Sequence, residues 1–141
     1  MGSKLAALAL AAALSPAMAR AGDTATLTVT VLGVSDAGGQ LRVGVYDEAG
    51  FKARNAAPVA GKTLLARPGT MTLTIDGIAP GTYAVKMFQD VNRNGFFDYG
   101  ARLTEPYGLS NDPAVTTGLP SFDDAKIAIV AGTNAITVTL H

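Results

Sequence analysis

Alternation of apolar residues with threonine constrains this chain more than any other feature. Leu27, Val29 and Val31 alternate with Thr26, Thr28 and Thr30; Met71, Leu73 and Ile75 with Thr70, Thr72 and Thr74; Ile136, Val138 and Leu140 with Thr137 and Thr139. A period of two puts alternate side chains on opposite faces of an extended strand, so each run predicts a strand with an apolar face and a hydroxyl face. Antiparallel sheets with one face in water read this way. No run shows the spacing of a convincing amphipathic helix.

Turn residues divide the runs. Ala37-Gly38-Gly39, Arg67-Pro68-Gly69, Ala79-Pro80-Gly81 and Ala131-Gly132-Thr133-Asn134 fall between or before the alternating stretches, and further strands are predicted at Leu41–Tyr46, Thr63–Ala66, Tyr83–Phe88 and Lys126–Val130. The expected fold is all-β, a two-sheet antiparallel β-sandwich of about seven strands, prealbumin-like or immunoglobulin-like.

The N-terminus reads differently. Lys4 is followed by an apolar run from Leu5 to Leu14, a break at Ser15-Pro16, and small-residue sites at Ala17-Met18-Ala19 or Ala19-Arg20-Ala21. This is the pattern of a signal peptide over residues 1–21, cleaved to leave one domain over residues 22–141 in the periplasm or outside the cell. The apolar run is shorter than the ~20 residues a membrane span requires, and no later stretch approaches that length. Loss of Lys4 and Arg20 leaves nine basic residues against eleven acidic. Nucleic acid, which needs a basic face, is therefore not an expected partner. The absence of cysteine removes disulfides, thiol catalysis and thiolate metal sites.

Two segments lack alternation: Glu48–Gly61, read as a surface loop with room for one helical turn, and a long loop over residues 90–121. The second carries Asp90, Asn92, Asn94, Gly95 and Asp98. Short oxygen-bearing side chains alternating before a glycine turn are how a loop wraps calcium, with the backbone carbonyl of Phe96 adding a further oxygen. An EF-hand is excluded, because its twelfth position would be Ala101 and no helices flank it. The expectation is a weak structural calcium site formed by Asp90, Asn92, Asn94, Phe96 and Asp98, with Glu105 or Asp112 as more distant ligands. The competing reading is a turn in which the Asx side chains bond local backbone.

Phe96, Phe97, Tyr99 and Tyr107 crowd into the same loop. Burial against the sandwich is the expectation, since large aromatic side chains gain most by leaving water. Exposed, they would form a platform for a sugar ring or another apolar ligand.

Ile78-Ala79-Pro80-Gly81-Thr82-Tyr83-Ala84-Val85 runs into Phe88-Gln89-Asp90-Val91-Asn92-Arg93-Asn94-Gly95-Phe96-Phe97-Asp98, and Glu105-Pro106-Tyr107-Gly108-Leu109-Ser110-Asn111 follows. With Leu41–Tyr46, Phe51 and Phe122–Ala125, this ordered set resembles the secreted bacterial family called domain of unknown function 2141. The resemblance implies a periplasmic or secreted β-sandwich and carries no established activity.

Catalysis finds little support. His141 is the single histidine, which disfavours a Ser-His-Asp triad or a histidine-bound catalytic metal. Asp123 and Asp124 are read as the solvated start of a strand. The leading expectation is a non-enzymatic module that presents its calcium-ordered loop to a protein or glycan. Its rivals are a glycan- or lipid-binding module acting through the loop aromatics, and a hydrolase acting through Asp90, Asp98, Glu105 or Asp123.

Overall fold

Every alternating run forms a strand in the structure, a computed structural model that describes residues 23–53, 56–98, 100, 104–114 and 120–141. The expected signal segment and Tyr99 lie outside the described residues. The order is β1 (Ala25–Val34), β2 (Gln40–Tyr46), α1 (Glu48–Lys52), β3 (Ala60–Leu65), β4 (Gly69–Ile78), β5 (Gly81–Asp90), β6 (Tyr107–Leu109), α2 (Phe122–Ala125), β7 (Ile127–Ile129) and β8 (Gly132–Thr139). Among the described residues no helix is long and apolar enough to cross a membrane.

The strands form two sheets. The smaller has the order β4-β1-β8 and the larger β3-β2-β5-β6, with β7 pairing the first part of β5. All pairs are antiparallel except β1 with β8, which run parallel from Ala25 opposite Gly132 to Leu32 opposite Thr139. That parallel pair departs from the purely antiparallel expectation. Alternation cannot reveal it, because an apolar face reads the same in either direction.

The inward residues form one core. Leu27, Val29 and Val31 from β1, Leu73 and Ile75 from β4 and Val138 from β8 pack against Leu41, Val43 and Val45 from β2 and Val85 and Met87 from β5. Burying each such side chain contributes about 1.5–3 kcal/mol, which fixes which face of each strand turns inward. Tyr83 sits where β5 begins and donates its hydroxyl to the carbonyl of Ala79 at 2.7 Å. Its role is to pin the Pro-Gly corner.

A strand interrupts the span expected as one long loop. Tyr107–Leu109 forms β6, and its inward Gly108 leaves room for β8: a Cβ there would lie 2.8 Å from Val138 Cγ1 and 2.9 Å from the carbonyl of Thr139. Tyr107 and His141 exchange backbone hydrogen bonds at 3.2 and 2.9 Å, so this edge of the larger sheet is tied to the end of the smaller one. Asp123 and Asp124, expected to start a strand, lie instead on α2. Ser121 caps that helix, accepting from the N–H of Asp124 while the Asp124 carboxylate accepts from the Ser121 N–H.

Candidate functional site

Register on the larger sheet decides which side chains share its outer face. Leu41, Val43 and Val45 point into the core, so Arg42, Gly44 and Tyr46 point away from it. By the same rule Ala84, Lys86 and Phe88 of β5 and Tyr107 and Leu109 of β6 face outward. The pairing sets Arg42 beside Phe88 beside Tyr107, and Gly44 beside Lys86 beside Leu109.

Both ends of this face are walled. At one end α1 and α2 lie over Ala84, with Phe51 and Phe122 meeting edge to face at 5.7 Å. At the other the loop after β5 brings Phe97 edge-on to both Phe88, at 5.6 Å, and Tyr107, at 5.5 Å. Between them runs a groove of about 570 Å³, lined by Tyr46, Phe51, Phe88, Phe96, Phe97 and Tyr107 and floored at Gly44. Phe96 is 68% exposed and Phe97 39%, while Tyr107 is half-buried. The expectation that these aromatics are buried therefore fails for both phenylalanines. The loop lies on the outer face of the larger sheet, away from the core between the sheets, and both rings keep solvent exposure.

The loop is built on carboxylates. Asp90, fully buried at the end of β5, accepts from Arg42 Nε at 2.8 Å, from the N–H of Gly95 at 2.9 Å and from that of Asn94 at 3.2 Å. Gly95 adopts φ +85, which glycine reaches without the Cβ strain that other residues meet there. Glu105, also fully buried, accepts from the N–H groups of Val91 at 2.6 Å and Asp98 at 2.8 Å. These two acids staple the loop from opposite sides. Backbone donors on a carboxylate are charge-assisted bonds, stronger than neutral ones.

Three of the residues expected as calcium ligands do meet, in a particular way. Asn92 and Asn94 direct their side-chain amides to one oxygen of Asp98, at 2.7 and 2.9 Å, while their own oxygens accept from the N–H groups of Asn94 and Phe96. Those last two contacts are the Asx turns of the competing reading. Asp90 and Glu105 belong to the staple just described, and no group of three or more acidic or histidine side chains is placed to hold a metal among the described residues. Asp112 is directed elsewhere, accepting from the N–H of Thr139 at 2.9 Å.

Sequence reading overlooked Gln89. It is fully buried, donates to the carbonyls of Ser35 and Gly38 at 3.1 and 2.8 Å, and accepts from the Ser35 N–H at 2.9 Å. It fastens the β1–β2 turn against the root of the loop. Its position among the inward apolar residues of β5 was the signal, since a buried amide requires partners.

Lys86 supplies the electrostatics of the groove. Its ammonium lies 4.3 Å from the centre of the Tyr46 ring and 5.0 Å from that of Phe51. Burial holds its pKa below the usual lysine range and raises that of Tyr46.

Fold and site together define an all-β sandwich that carries an open aromatic groove on one outer face, walled at one end by a carboxylate-stapled loop. Residues 29–137 match the family described as "uncharacterized protein conserved in bacteria", domain of unknown function 2141, and the chain belongs to that family. No curated protein and no solved structure matches the chain.

Proposed function

We propose that this protein is a non-enzymatic binding module that holds a small ligand with an apolar body in the groove on the outer face of its larger sheet. The observation that carries this reading is the exposure of Phe96 and Phe97 on a concave surface they share with Phe88 and Tyr107. Concave, largely apolar surfaces with a few polar groups are the usual form of ligand sites. Phe88, Phe97 and Tyr107 meet edge to face, with successive ring planes 64° apart. Such rings make a corner that encloses an apolar group, whereas a sugar is better served by a flat stacking platform. Asp90 and Glu105 act as structural anchors, saturated by backbone donors and Arg42, which favours binding over carboxylate-based hydrolysis.

The neutral dye N-phenyl-1-naphthylamine tests this. Its fluorescence is expected to rise on addition of the protein, and Phe97→Ala is expected to weaken binding at least tenfold. No enhancement, or enhancement unchanged by Phe97→Ala in a folded variant, refutes the groove as a ligand site.

A second reading concerns the loop wall. The convergence of Asn92, Asn94 and Asp98 favours a weak structural calcium site, because it gathers three short oxygen-bearing side chains around one point. Few charged ligands make such a site weak, and binding only to the folded state would stabilise the domain by mass action. Melting at millimolar calcium and with chelator tests it. The midpoint should rise with calcium in the native protein and not in Asp98→Ala; equal midpoints in the native protein reject the metal. Export to the periplasm or beyond is part of the proposal and rests on Lys4, the Leu5–Leu14 run and the small residues before Gly22.

A further inference from the structure

Charge is distributed unevenly in the groove. Among the described residues its lining contains two cations, Arg42 and Lys86, and no aspartate or glutamate. Arg42 is already engaged, with Nε on Asp90 at 2.8 Å and a terminal nitrogen on the side-chain oxygen of Gln40 at 3.1 Å. Lys86 is not among the ion pairs of the described residues, which join Arg42 to Asp90, Lys52 to Glu48 and Lys126 to Asp123. Its neighbours are the Tyr46 and Phe51 rings, whose faces attract a cation without neutralising it.

The floor beside Lys86 is aromatic. Gly44, directly across from it on β2, makes room for the Tyr46 ring, which lies over it: a Cβ on Gly44 would lie 2.7 Å from the Tyr46 ring and 3.1 Å from Pro58. The aromatic corner of Phe88, Phe97 and Tyr107 continues along the same face. A half-buried ammonium with no ion-pair partner among the described residues therefore stands next to an apolar trough.

We infer that the groove selects an amphipathic monocarboxylate, its apolar body against Phe88, Phe97 and Tyr107 and its carboxylate on the ammonium of Lys86. The inference rests on the reading of the groove as a binding site and adds the sign and place of the ligand's charge. Burial already taxes the charged form of Lys86, and a ligand anion would relieve that cost. An ordinary apolar surface ranks such ligands the other way, because a carboxylate loses more hydration than a hydroxyl of the same chain length. A preference for the acid thus has to come from Lys86.

The test displaces N-phenyl-1-naphthylamine with octanoate, 1-octanol and octylammonium at neutral pH, in the native protein and in Lys86→Met and Lys86→Arg. In the native protein octanoate is expected to displace the dye at concentrations at least tenfold lower than octanol, with octylammonium the weakest. Lys86→Arg should keep the order, and Lys86→Met should erase or reverse it, each ratio being read within one variant whose melting curve shows it folded. Octanol equal to or better than octanoate in the native protein overturns the inference, as does an octanoate preference that survives Lys86→Met. Failure of the dye to bind in the first place is a separate result and removes the groove reading itself.

Discussion

Replacing Glu105 by glutamine deletes one oxygen from a carboxylate that holds two stretches of the loop together. The native side chain gives one oxygen to the N–H of Val91 and the other to that of Asp98, and Glu105 is fully buried. Hydrogen bonds to a charged group contribute about 1.5–3 kcal/mol each, and a glutamine retains one acceptor, now neutral, while turning an amide donor toward the second N–H. The expected net loss is about 2–3 kcal/mol. For a domain of this size that lowers the melting temperature by about 8–12 °C. Calorimetry measures the loss, and amide hydrogen exchange locates it, with protection falling first at Val91 and Asp98. A drop below about 3 °C with both amides still protected would refute the stapling role, because a folded loop missing a needed acceptor cannot keep both donors satisfied.

Three further outcomes follow from local geometry. At Gly39 the backbone has φ +81 and a Cβ would lie 2.1 Å from the Asp90 carbonyl, so Gly39→Ala should cost upward of about 2 kcal/mol in urea unfolding; a cost under about 0.5 would contradict that packing. Ser110 is buried, accepts from the Val85 N–H at 2.9 Å and donates to the Ala125 carbonyl, so Ser110→Ala should cost about 1–3 kcal/mol and expose the Lys126 amide, bonded to Phe122 in α2, to exchange. Lys86→Met carries a pH signature. Because burial lowers the Lys86 pKa below its ordinary 10.5, the unfolded chain binds the proton across the window up to 10.5 and the folded chain does not, so native stability gains with pH there. Tyr46, raised above 10.0 by burial, acts with the opposite sign in both proteins, so the readout is the difference between them. The advantage of Lys86→Met over the native protein should shrink as pH rises through that window, and a constant difference would rule out the burial penalty.

Period-two patterning located β1, β4 and β8, because a one-residue slip in any of them would turn Leu or Val into water, while turn residues bounded β2 and β5. It missed β6, whose three residues show no repeat and which exists through its register with Lys86–Phe88. α2 was more legible than expected: Ser121 followed three residues later by Asp124 is a capping pair, overlooked because it holds a helix of one turn. The Asp90 loop was recognised as a unit from its Asx spacing. What spacing could not give was the allocation of its acids, since backbone donors in the loop compete for the same oxygens that a cation would use. Aromatic exposure was misjudged for a related reason. Average burial preferences assume a covering layer, and Phe96 lies on the outer face of its sheet, away from the core.

The parallel closure of β1 on β8 also orders events in time. β1 is the central strand of its sheet, yet one neighbour begins at Gly69 and the other only at Gly132. Until the last strand has been synthesised, β1 presents an unpaired edge and Leu27, Val29 and Val31 lack the cover of Val138. Closing a contact between the two extremities of the domain is slow, because loop entropy is spent before the contact forms. A chain arrested before β8 therefore retains an adhesive strand, and self-association during synthesis, more than the stability of the finished sandwich, becomes the hazard this topology imposes.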